Sequence, residues 1–182
     1  MNRITSTFSV FIALFGFYSC GVVEAEKVQV VDLEEKALQV ITGGSFRYSE
    51  KSQIKNVLEA GRLERWESDG SSSEVWRVSN GFTLYIDGDK ENHDAVLSGG
   101  RGTYEADLGH LIAYDDVELI NSEGEKLNTE YLVWSNDSDI VRTNRPVRIE
   151  SKTGTLEGNG LEADSKFENY RILNPTGAFE LP

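Results

Sequence analysis

From Ser45 onward the chain alternates apolar and polar residues in short runs. Leu127–Trp134 (LNTEYLVW) and Arg145–Glu150 (RPVRIE) keep a period of two, which predicts strands, because successive side chains of a strand point to opposite faces. Ser135–Asp139 (SNDSD) and Ser151–Gly154 (SKTG) separate such runs with residues that tolerate turn backbone angles. Upstream, Ser45–Ser49 alternates, and Glu74–Ser79 and Phe82–Ile86 flank Asn80-Gly81, which predicts a strand pair around a hairpin turn. Further strands are predicted at Ala95–Leu97, Gly99–Asp107, Leu111–Tyr114 and Val117–Ile120, with a turn at Asn121–Gly124. Val141, Val147–Ile149, Thr155–Leu156, Leu161 and Tyr170–Ile172 mark the last ones, and Asn174–Pro182 reads as an extended end. Asp69–Ser73 and Asp87–Asp94 read as loops. Gln53–Trp66 is ambiguous: Ile54, Leu58 and Gly61 fit helical spacing, but two strands around Gly61 fit as well.

The first 44 residues follow another pattern. Arg3 precedes an apolar run from about Phe8 to Phe17, and small Ser19 precedes Cys20. The run is shorter than the roughly 20 apolar residues a membrane-spanning helix needs, so it predicts a secretory signal. Phe17-Tyr18-Ser19-Cys20 resembles a bacterial lipobox, with Phe17 in place of the usual leucine. Residues 1–19 are therefore read as a lipoprotein signal peptide, Cys20 as the acylated anchor and 20–44 as a tether with a short strand or helical turn around Leu33–Leu38. Residues 45–182 form the domain. The competing reading is an ordinary signal with an incidental cysteine.

Composition narrows the chemistry. The net charge of −13 repels phosphate backbones, so nucleic acid is not a partner. Cys20 is the single cysteine, which excludes an intrachain disulfide. Frequent glycine and the lack of long helical periodicity favour one all-β domain with tight turns. The two histidines, His93 and His110, have no paired cysteine and no nucleophile motif beside them, so no catalytic residue is assigned. Asp87, Asp89, Glu91, His93 and Asp94 crowd one loop, yet it lacks the glycine and terminal glutamate of a calcium loop. It is read as a solvated turn, as are Asp115-Asp116 and Asn136-Asp137-Ser138, and no metal or cofactor is expected. A faint internal echo relates Gly100–Asp107 (GRGTYEAD) to Gly158–Asp164 (GNGLEAD).

Three blocks occur in a fixed order. They are Leu127–Trp134, then Val141-Arg142-Thr143 with Arg145-Pro146-Val147-Arg148-Ile149, then Gly158–Asp164 followed by Phe167 and Tyr170. Together they resemble the LptC family, a periplasmic component of the lipopolysaccharide export machine. The likeness is strongest from about Ser122 to Gly177 and continues back to about Ser45. The resemblance implies a twisted, open β-jellyroll of the kind LptA has, and it settles Gln53–Trp66 as strands. It implies lipopolysaccharide as ligand, LptF/LptG-like membrane subunits on one side and an LptA-like bridge on the other, with no catalysis and no cofactor in this chain. The location implied is the periplasmic face of the inner membrane, held through lipidated Cys20. The outer membrane is the open alternative, because Gly21 rather than an aspartate follows the cysteine.

Alternation supplies candidate groove residues. Leu132 and Trp134 share a parity, as do Val147 and Ile149, Leu161 and Ala163, and Tyr170 and Ile172, and these are expected to point inward. A bulge in any strand would reverse the assignment beyond it. The last strand, Glu168–Leu173, is the expected partner edge, with Glu168, Asn169, Arg171 and Leu173 as its edge residues, and Phe46–Tyr48 would face the membrane subunits. A second reading is an acidic envelope lipoprotein whose β-sandwich binds glycans or protein through exposed aromatics.

Overall fold

In a computed structural model, residues 37–67 and 74–176 are described. The signal, Cys20, most of the tether, the loop at 69–73 and the end of the tail lie outside the described residues. Ten strands form one antiparallel sheet: β1 (Gln39–Glu50), β2 (Gln53–Glu67), β3 (Glu74–Ile86), β4 (Ala95–Gly99), β5 (Arg101–Glu105), β6 (His110–Asn121), β7 (Lys126–Ser135), β8 (Ile140–Ser151), β9 (Gly154–Asp164) and β10 (Tyr170–Thr176). The order follows the chain, except that β4 and β5 act as one interrupted strand between β3 and β6. β1 and β10 are the two edges. The all-β, jellyroll-like fold expected from the sequence is what the chain adopts. Gln53–Glu67 is one long strand, whose backbone pairs with β1 on one side and β3 on the other, a ladder that a helix could not form.

A line of backbone irregularities crosses the whole sheet. Gly43 lies opposite Gly61, Gly61 opposite Asn80-Gly81, and Gly81 donates its N–H to the Gly100 carbonyl at 2.9 Å. Gly100 in turn donates to Tyr114 and Asp115. The line continues through register shifts between β6 and β7, β7 and β8, and β8 and β9, ending at Gly160. Bulges add residues to one strand and bend it, so the sheet folds along this line. Two positions there require glycine. A Cβ on Gly61 would lie 2.3 Å from the Asn80 carbonyl oxygen, and Gly160 has φ +82.

Four sequence expectations are corrected along this line and at the ends. Asn80-Gly81 is not a hairpin turn but a bulge inside β3: its positive φ values bend a strand that stays paired on both sides. Asp115-Asp116 is likewise a left-handed bulge within β6. β1 begins at Gln39, so residues 39–44, read as tether, are strand paired with β2. At the other end Glu168 and Asn169 belong to the turn before β10, and only Arg171 and Leu173 of the expected edge set lie on the edge strand. The Asp164 carboxylate accepts the Glu168 and Asn169 N–H groups and holds both in that turn.

Distances across the sheet show how far it folds. β2 and β7 are four strand spacings apart, about 19 Å if the sheet were flat. Yet Asn56 on β2 donates to Asn136, beyond β7, at 3.4 Å. The two halves of the bent strands therefore face each other, with the bend as spine and two rows of turns meeting along a seam. Leu97, Leu119, Leu127, Leu132, Ile149 and Leu161 are fully buried between them. Each stabilises the fold by about 1.5–3 kcal/mol relative to an exposed side chain.

Candidate functional site

The interior is filled unevenly. Toward β1 the halves stand apart around an open cavity of about 480 Å³. Its wall is apolar: Phe46, Leu58, Leu63, Trp76, Val78, Leu84, Tyr104, Leu111 and Trp134. Its rim is polar, with Arg47, Asn56, Asn136 and Asp137 along the seam. The bulge at Gly61 lets one strand serve this wall twice. Leu58 and Leu63 have opposite parity, and the shifted register turns both inward. Tyr104 is half-buried in the wall, and burial, then the nearby Asp137 charge, pushes its hydroxyl pKa up. The phenol is therefore a neutral hydrogen-bond group at physiological pH. The Trp134 indole N–H is buried at the cavity floor without a hydrogen bond. A wider concavity of about 660 Å³ is a trough floored by the glycines of the bend, with acidic Glu59, Asp115 and Asp116 on it. It offers an apolar ligand little to hold.

Past Trp134 the halves close on each other. Leu132, Val147, Ile149, Leu161 and Ala163 are buried, and Tyr170 and Ile172 pack against them. All eight residues predicted to point inward thus belong to or border the core, but only Trp134 lines the cavity. Each pair lies on one side of a bulge, so its two members share a face. It missed Phe46, Leu58, Leu63, Trp76, Val78, Leu84, Tyr104 and Leu111. Alternation in Glu74–Ile86 carried the signal for three of them, but nothing local says which part of an inner face is left uncovered.

The carboxylates of the acidic loop pair within the protein. Asp87 and Asp94 pair with Lys166 Nζ at 3.1 and 2.6 Å, and the Asp89 carboxylate accepts the N–H groups of Glu91 and Asn92. Among the described residues no cluster suits a metal ion, and no helix is long and apolar enough to cross a membrane. The geometry presents an apolar interior with a polar rim, and two edge strands, β1 and β10, that each pair with one neighbour among the described residues.

A family model for lipopolysaccharide-assembly, LptC-related proteins matches residues 9–178. The chain belongs to the LptC family. An LptC-family chain is a component of lipopolysaccharide transport and not an enzyme. The family is associated with the periplasmic side of the inner membrane. No curated protein matches the chain.

Proposed function

We propose that this LptC-family chain accepts lipopolysaccharide from the inner-membrane ABC transporter and passes it along its apolar interior to an LptA-like bridge. The observation that carries the reading is the cavity between the sheet halves. Its apolar wall and polar seam suit acyl chains inside and a sugar-phosphate headgroup outside. Burial of acyl surface is non-directional and scales with area, at about 25 cal/mol per Å², so a lipid can slide without leaving a specific pose.

The two edges support the direction of transfer. β1 exposes Val40 and Tyr48, and β10 exposes Arg171 and Leu173, the latter 48% exposed. An edge strand adds a partner's strand through its unpaired N–H and C=O groups. We assign β1 to LptF/LptG-like subunits and β10 to the LptA-like bridge. Acylated Cys20 would hold residues 39–176 at the periplasmic face through the tether.

The test places a photo-crosslinking amino acid at Trp76, on the cavity wall, in the full chain with transporter vesicles and lipopolysaccharide. ATP-dependent labelling of the lipid at 76, with none at outward-facing Tyr114, is the expected result. Equal labelling at both positions, or glycan binding that depends on the Tyr114–Tyr131 ring pair (5.5 Å between centroids), would replace this reading with that of an outer-face binding module.

A further inference from the structure

We propose that the β9–β10 turn, Asp164–Asn169, is a clasp that closes the C-terminal half of the seam, and that its release extends the cavity past Trp134 to the β10 edge. The proposal rests on the lipid reading for its purpose, but its geometry stands apart from it.

The turn reaches across the fold. Lys166 follows β9, and Asp87 and Asp94 bound the β3–β4 loop, at the ends of strands five and four spacings away, about 24 and 19 Å in a flat sheet. Nevertheless Lys166 Nζ lies 2.6 Å from Asp94 and 3.1 Å from Asp87, and Lys55 reaches Asp87 at 3.5 Å. Beside it, the Asn121 amide donates to the Phe167 carbonyl at 2.9 Å. Phe167 itself is fully buried between the halves and stacks on Tyr170 at 4.8 Å. A charged pair thus fastens the outside of the seam, and an aromatic ring plugs the inside.

The turn is also built to move as a unit. Its own bonds run from Asp164 to Phe167, Glu168 and Asn169, so its shape does not depend on the opposite side. What a swing would forfeit is the Lys166 pair, the Asn121 contact, the Phe167 burial and the Ser165–Asp139 contact with the neighbouring turn. At the β1 side a neutral contact, Asn56 to Asn136, borders the part of the seam that stands open. The open part alone is undersized: about 480 Å³ suits a drug-sized ligand, for which cavities run from roughly 300 to 1,000 Å³. A lipid with several acyl chains needs more, and the interior toward β10 leads through the packed half.

Two measurements on the full chain test this. First, the maleimide reactivity of Ala163→Cys, inside the closed half, is compared with and without Lys166→Met. The clasp requires at least a tenfold faster reaction in Lys166→Met, while Ala60→Cys, away from the clasp, is unchanged. An unchanged rate at 163 overturns the proposal whether or not lipid binds. Second, Asp94→Cys and Lys166→Cys are bridged by a short bis-maleimide, and lipid labelling is read from photo-crosslinkers at Trp76 and Ile172. Labelling kept at 76 and lost at 172 supports the clasp. Labelling undiminished at 172 overturns it. If the unbridged protein labels lipid at neither position, the transport reading fails, and the reactivity of position 163 alone decides whether the clasp exists.

Discussion

At the scale of single residues, position in the folded sheet decides what a substitution does. Phe167 is fully buried and holds φ +57, so Phe167→Ala removes a ring that nothing else replaces. The expected cost is about 3–5 kcal/mol, measured by urea unfolding. Asn121 works through hydrogen bonds instead. Its amide donates to the Glu125 carboxylate and the Phe167 carbonyl, and its side-chain oxygen accepts the Glu123 and Glu125 N–H groups. Among inner-face residues, Leu58 and Ile149 behave oppositely. Ile149 is fully buried in the closed half, and Ile149→Lys strands a charge there and unfolds the domain. Leu58 lines the open cavity, where Leu58→Glu can keep its carboxylate in water. That variant is expected to retain its circular-dichroism spectrum and melting transition while losing lipid labelling at position 76. Legibility from sequence divides along the same boundary. Alternation said that Ile149 and Trp134 face inward, but not that one meets a packed half and the other an opening.

At the scale of elements, the bend is the decisive feature, and two glycines on it separate its causes. Gly61 must be glycine because the neighbouring strand crowds it, whereas Gly81 has open space but φ +83. Gly61→Ala drives a methyl into a backbone oxygen and should cost at least about 1–3 kcal/mol, as overpacking does. Gly81→Ala should cost about 1–2 kcal/mol from left-handed strain alone. Denaturant midpoints of the two variants check the order, and a larger effect at Gly81 would contradict this account of the bend. Most of this was illegible locally. Asn-Gly is the strongest hairpin signal in a sequence, but here the strands on either side pair with β2, β4 and β5 and so convert the turn into a bulge.

For the whole molecule, the seam sets how stability responds to pH. Hydrogen bonding to Asp94 first, and then to Asp87, raises the Lys166 pKa above the ordinary lysine range. A raised lysine stabilises the fold fully below its unfolded pKa of about 10.4, and that contribution falls as pH rises beyond it. The difference in melting temperature between the parent and Lys166→Met should therefore stay constant from pH 7 to 9 and shrink above about pH 10.4. The pair is partly exposed, so its worth is small, on the order of 1 kcal/mol. A difference that grew with alkaline pH would mean that Lys166 is not charged in the clasp.

The sequence by itself determined the strands, the alternation along them and the family, because these depend on local period and ordered motifs. Only the tertiary structure decided where the sheet bends, which inner faces are packed and which stay open. The bend arises where several strands place a bulge at one level, and each bulge resets the alternation that a local reading follows. The clasp joins Lys166 to Asp94, 72 residues apart, because folding the sheet brings its two rows of turns together. No period along the chain records that meeting.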